Sequence, residues 1–206
     1  MAVATAVVRA ATAATAGRRG WCAGRLARCA SGIAAVEFAL VLPVMVLMLL
    51  GVTEVTYGVN LYRKLTLVSR SIADMSSRGS QMSSALMKDI FGASKLVLKP
   101  FDAEAASVGI TVSSVKVTPV GSNFVAEIDW TCSSGPDAPP QTKGDPATAP
   151  SAFKDASRAT YFMWVQTRLP YKPMFGRTFT GTMILTSDTV WPVRDYQKVD
   201  APSSCS

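Results

Sequence analysis

The run Ser31-Gly32-Ile33-Ala34-Ala35-Val36-Glu37-Phe38 places one acid, Glu37, five residues after a glycine in otherwise apolar sequence. A carboxylate deep in hydrocarbon costs roughly 2.5–3.5 kcal/mol on insertion scales, so it calls for compensation. The first turn of a helix supplies part of it, through the positive end of the macrodipole. A cut after Gly32 would supply more. It would leave an α-amino group on Ile33, cationic at neutral pH. Ile33 and Glu37 are one helical turn apart, so the pair could form within the chain or with a neighbouring subunit. The plain alternative is an interfacial glutamate without a role. A second acid, Glu54, closes the same apolar stretch.

Other reactive chemistry is thin. The chain has no histidine, which removes the commonest general base and metal ligand. Ser-His-Asp triads, Cys-His pairs and His-bearing zinc sites are thereby impossible, and an enzyme becomes the weaker reading. No Gly-rich phosphate loop, CxxC pair or EF-hand spacing is present, and the scattered acids name no metal site. The expectation is a non-enzymatic protein with no cofactor and no metal.

The elements that would position Glu37 and Glu54 follow from composition. Of 206 residues, 49% are hydrophobic and 17% charged, against about 25% charged in an average soluble chain. Residues 38–53 hold no charge. Sixteen residues make ~24 Å of helix and the 26 residues of 33–58 make ~39 Å, against a bilayer core of about 30 Å. One tilted transmembrane helix over 33–58 results, apolar on every face and so unlike a core helix. Pro43 within it lacks a backbone N–H and predicts a kink. That kink is either a flexible point used during extraction from the bilayer or a tolerated membrane proline.

The net charge of +7 is uneven. Arg9, Arg18, Arg19, Arg25 and Arg28 precede the first acid, Glu37, so residues 1–32 carry +5 and the remainder +2. This is a topology signal rather than a phosphate-binding face, and it argues against nucleic acid. The positive-inside rule places 1–32 in the cytoplasm as a basic leader and 59–206 outside as an extracytoplasmic domain. A secretory signal peptide fits less well, because the apolar run is long and no small-x-small site follows it. Arg18-Arg19 as a twin-arginine signal and Leu26-Ala27-Arg28-Cys29 as a lipoprotein box are weaker still. In a reducing cytoplasm Cys22 and Cys29 are expected as free thiols.

The run GIAAVEFALVLPVMVLMLLGVTEVTYGV resembles the TadE-like pseudopilin family of tight-adherence (Flp) pilus systems. The resemblance rests on Gly32, Glu37, Phe38, Pro43 and Glu54 together, over about 30 residues. It implies processing between Gly32 and Ile33 by a prepilin peptidase, and a role for Glu37 with Phe38 in subunit recruitment and alignment. The implied function is a minor pseudopilin, or membrane-anchored component of Tad pilus assembly, in the bacterial inner membrane with its C-terminal domain periplasmic. The implied partners are the membrane, the peptidase, other pilins and pseudopilins, and Tad platform proteins. The 32-residue leader is long for a prepilin. An uncleaved single-pass binding or secretion-assembly protein is the alternative reading, and an anchored serine–lysine hydrolase a distant third.

Beyond the span, Val55, Val59, Tyr62, Leu65, Val68, Ile72 and Met75 recur at gaps of three and four, predicting that the helix continues to about residue 77 with this stripe packed on the domain. A second helix is expected over 81–96. Ile110-Val112 and Val115-Val117 change phase at Ser113-Ser114, predicting a bulge. Pro119 and Gly121 predict a turn, and Phe124, Ala126, Ile128 and Trp130 one strand face. Residues 133–156 read as a long exposed loop. Residues 159–169 and 181–190 read as strands, with a loop from Pro170 to Gly176 between them. The fold class is α+β: a long helix, a shorter one and an antiparallel sheet of about four strands. Cys132 and Cys205 both fall outside the membrane and are expected to form a disulfide. The aromatics Tyr161, Phe162, Trp164, Tyr171 and Phe175 would either form an adhesive or subunit interface or fill the sheet core.

Overall fold

A computed structural model of the chain describes residues 31–98, 107–173, 181–194 and 197–205. The basic leader with Arg9, Arg18, Arg19, Arg25, Arg28, Cys22 and Cys29 lies outside the described residues, as does Phe175. Helix α1 spans Ser31–Ser76 and α2 spans Ser84–Val97. Strands β1 (Gly109–Val120), β2 (Asn123–Ser134), β3 (Thr160–Tyr171) and β4 (Met183–Pro192) form one antiparallel sheet in the order β2-β1-β3-β4. The chain divides into two compact units between Val52 and Thr53.

The described part of the first unit is the opening of α1. Every residue from Gly32 to Leu49 is exposed, so among the described residues none covers this apolar surface. The helix is long and apolar enough to cross a membrane. Pro43 sits inside it without ending it.

In the second unit the rest of α1 and all of α2 pack on one face of the sheet. Leu61, Leu65, Val68 and Ile72 of α1 and Met87, Ile90 and Phe91 of α2 share a core with Ile110, Val112, Met163, Val165 and Leu169. Each such side chain contributes about 1.5–3 kcal/mol by leaving water. The anticipated stripe is only partly the buried one. Leu65, Val68 and Ile72 are buried, but Val55, Val59, Tyr62 and Met75 are exposed. The face turned inward instead runs through Tyr57, Leu61, Leu65, Val68 and Ile72. Both sets satisfy helical spacing, and only the position of the sheet selects between them.

α2 begins where the side chain of Ser83 accepts a hydrogen bond from the Leu86 N–H at 3.1 Å, an N-cap. At the end of α1 the Ser77 hydroxyl donates to the Asp74 carbonyl at 2.9 Å, satisfying one of the orphan acceptors there.

The phase change at Ser113-Ser114 does not mark a bulge within β1, whose pairing with β3 runs unbroken. Ser114 pairs with Trp130 and Val115 with Ile128, so Asp129 is an extra residue and the bulge lies on β2. The apolar residues of β1 also change face. Ile110 and Val112 lie under the helices, whereas Val115 and Val117 join Ile128 and Phe162 in a second core on the opposite face. Ile128 and Trp130 therefore do not share a face, contrary to expectation. The bulge at Asp129 turns Trp130 to the helix side.

Residues 135–159 cover that second face rather than hanging free. Ala147, Ala149 and Phe153 pack on the second core, and Phe153 meets Phe162 with ring centroids 4.8 Å apart. The Ile128 N–H donates to the Asp145 carbonyl at 3.0 Å and the Ala147 N–H to the Ala126 carbonyl at 2.9 Å, so the loop also shields the β2 edge. An alternating apolar pattern is not needed, because Thr111, Ser113 and Gln166 hold the loop by hydrogen bonds to Pro139 and Gln141.

Both prolines expected in turns lie in strands. Pro119 pairs with Phe124 where β1 has run past its last partner in β3, and Pro170 pairs with Ile184 beyond the end of β1. Each stands where one side of its strand lacks a neighbour, the place a sheet tolerates a missing N–H. The β1–β2 turn is Gly121-Ser122, with Gly121 at φ 61, the left-handed geometry that tight hairpins require.

Candidate functional site

The residues singled out for chemistry fall into three groups. The first lies along the opening of α1. Gly32 is in the helix, and a Cβ placed on it would meet nothing within 4 Å. Ile33, Glu37 and Phe38 are exposed on the helix that follows. Among the described residues no cation pairs with Glu37 by salt bridge.

The second group surrounds Glu54. Its half-buried carboxylate accepts a hydrogen bond from the Tyr171 hydroxyl. Tyr171 is buried at the end of β3 and stacks on Tyr57, with ring centroids 5.9 Å apart. The ring also passes Gly58, where an added Cβ would make an ordinary contact with it at 3.6 Å. Sequence spacing singled out Glu54 but not its partner 117 residues away, for which the chain carries no local signal. Beside this pair is a groove of about 440 Å³. Val55, Val59 and Tyr62 form its helical wall, and Tyr171, Met183 and Leu185 the sheet wall.

The third group is the C-terminal strap. Cys132 and Cys205 are joined by a disulfide, with Cα atoms 5.3 Å apart and a sequence separation of 73. Val199 is fully buried in the main core, and its carbonyl accepts the Trp130 indole N–H at 2.7 Å. The Asp200 N–H donates to the Ser80 carbonyl at 2.8 Å, and the Met82 N–H to the Asp200 carbonyl at 3.1 Å. Lys198 Nζ lies 3.2 Å from Asp129 and 3.3 Å from Asp200. Its hydrogen bond to Asp129, opposed by partial burial, leads the causes that hold its pKa above the ordinary lysine value. The bulge therefore has a use: it presents Asp129 to the strap. Sequence reasoning found the cysteines but missed Val199, a lone apolar residue in a polar tail.

The aromatics of β3 mostly fill cores. Phe162 and Tyr171 are buried, and Tyr161 and Trp164 are half-buried. No group of three or more metal-ligating side chains occurs among the described residues.

No curated protein and no solved structure matches the chain. A family model does, over residues 32–74, which takes in Gly32, Glu37, Phe38, Pro43 and Glu54 and nearly all of α1. Its description is TadE-like protein, and the chain thus carries a TadE-like segment in its long apolar helix.

Proposed function

We propose that the protein is a minor pseudopilin of a Tad (Flp) pilus, a non-enzymatic component anchored by the opening of α1 and processed between Gly32 and Ile33 by a prepilin peptidase. The coarser statement, a Tad pilus-associated membrane component, has the TadE-like segment and the exposed apolar helix behind it. The observation that carries the finer reading is the acid five residues beyond a glycine at the head of that helix. Processing would free the Ile33 amino group one turn from Glu37, giving that acid an ionic partner on its own or a neighbouring helix. The basic leader would stay on the cytoplasmic side of the inner membrane and the sheet domain outside it. Pilins, pseudopilins and the Tad platform would then be met through α1 in the bilayer, with Glu37 and Phe38 setting the alignment.

Gly32→Ala tests this cleanly, because the added methyl meets nothing. Co-expressed with a prepilin peptidase, the wild-type chain extracted from membranes should give an N-terminal sequence beginning at Ile33. The Gly32→Ala chain should retain its leader and its slower mobility. A wild-type chain that keeps its leader beside an active peptidase would favour the uncleaved, single-pass assembly protein instead.

A further inference from the structure

The groove beside Glu54 is apolar, open and unused by the pseudopilin reading. Val55, Val59, Tyr62 and Met183 on its walls are all exposed, as is Ile184 next to it. An exposed cluster of large apolar side chains marks an interaction surface, and the chemistry around this one selects its occupant. Its helical wall starts at Val55, two residues past the end of the uncharged stretch 38–53, so it belongs to the first turns of α1 beyond that stretch. Cations also outnumber acids next to the groove in sequence: between Glu54 and Asp74 there are three, Arg63, Lys64 and Arg70, and no acid. Lys172 is exposed beside Tyr171, and Arg63 is exposed beside Tyr62. The acid on the groove wall, Glu54, is turned to the Tyr171 hydroxyl.

We propose that this groove seats the surface of an anionic phospholipid bilayer, with acyl chains against Val55, Val59 and Met183 and phosphate headgroups on Lys172 and Arg63. An apolar trough whose lining residues Tyr62 and Tyr171 are each followed in sequence by an exposed cation, Arg63 and Lys172, matches the boundary between acyl chains and headgroups, where Tyr and aliphatic side chains partition and cations meet anionic phosphates. Its direct continuity along α1 with the uncharged stretch 38–53 favours lipid over a second protein copy. The proposal rests on α1 being inserted as a membrane span, and the experiment reports on that separately.

The full-length protein is reconstituted into nanodiscs of phosphatidylcholine with or without phosphatidylglycerol. Both contain a phospholipid carrying a photoreactive diazirine on its acyl chain, and adducts are mapped by mass spectrometry after illumination. Adducts on residues 38–52 report the span. Adducts on 55–62 and 183–185, at least threefold more abundant with phosphatidylglycerol, are the expected result. Lys172→Glu, at an exposed position, should abolish that preference while leaving adducts on 38–52 unchanged. Met183→Asp, also exposed, should lower groove adducts at least fivefold. Adducts on 38–52 with none on 183–185 overturn the proposal and leave the span intact. Groove adducts indifferent to phosphatidylglycerol and to Lys172→Glu overturn the anionic headgroup assignment. Disulfide-linked dimers of a Met183→Cys variant oxidised in the same nanodiscs, in place of lipid adducts, overturn it in favour of a second copy. Absence of adducts on 38–52 as well removes the span on which both readings stand.

Discussion

The two glutamates flanking the apolar stretch have different surroundings. Glu37 is exposed on a helix with apolar neighbours, and among the described residues no salt bridge reaches it. Glu54 is accommodated within the chain by the Tyr171 hydroxyl, on a ring stacked against Tyr57. The hydrogen bond is charge-assisted, and such bonds contribute about 1.5–3 kcal/mol. Tyr171→Phe keeps the ring and its stacking but leaves the carboxylate without that donor. The expected outcome is a loss of about 1.5–3 kcal/mol in denaturant unfolding in detergent, with the disulfide still formed. Glu54→Gln in the same background should then cost little further, because the charge that needed the hydroxyl is gone.

At the level of the element, the loop over the second face shows how polar sequence can build a covering layer. Asp145 accepts hydrogen bonds from the backbone N–H of Thr142 at 2.7 Å and from its hydroxyl at 2.8 Å. These hold the Asp145 carboxyl below the ordinary aspartate range. Ser157 does the same for Asp155 through its side chain and its backbone N–H. Both groups have folded pKa values depressed below their unfolded ones. Their contribution is therefore complete above the unfolded value, about pH 4, and is lost as pH falls through the folded values. Amide exchange in segment 142–147 should accelerate, relative to β1 and β3, only below about pH 4. Asp145→Asn should flatten that acid dependence. An equal acceleration across the sheet would point to global acid unfolding instead.

For the molecule as a whole, the C-terminal strap ties the α1–α2 connection to β2. Its hydrogen bonds from Asp200 meet Ser80 and Met82, its lysine meets Asp129, and its last link is the Cys132–Cys205 bond. Opening that bond restores conformational freedom to a long stretch of unfolded chain. Cys205→Ser should cost roughly 4 kcal/mol in the chain-entropy model, read as a lower denaturation midpoint than that of the unreduced wild type. If reduced wild-type protein unfolds at the same midpoint as the oxidised protein, the bond has no such role.

Much of this architecture was legible in the sequence because it follows from local composition. An uncharged run of 16 residues admits one long apolar helix whatever surrounds it. Alternation in β2 and the short aromatic-rich apolar run in β3 mark strands, and Gly121 marks a hairpin whose tight turn needs positive φ. The spacing from Gly32 to Glu54 is likewise local, so the TadE-like pattern could be read directly. What sequence could not decide is which of two helix faces turns inward, which side of β1 each valine occupies, and that Tyr171 meets Glu54. Those depend on contacts between residues far apart in the chain. Periodicity is satisfied equally by Val55-Val59-Tyr62 and by Tyr57-Leu61-Leu65. Only the placement of the sheet against α1 buries one set and leaves the other exposed as a groove.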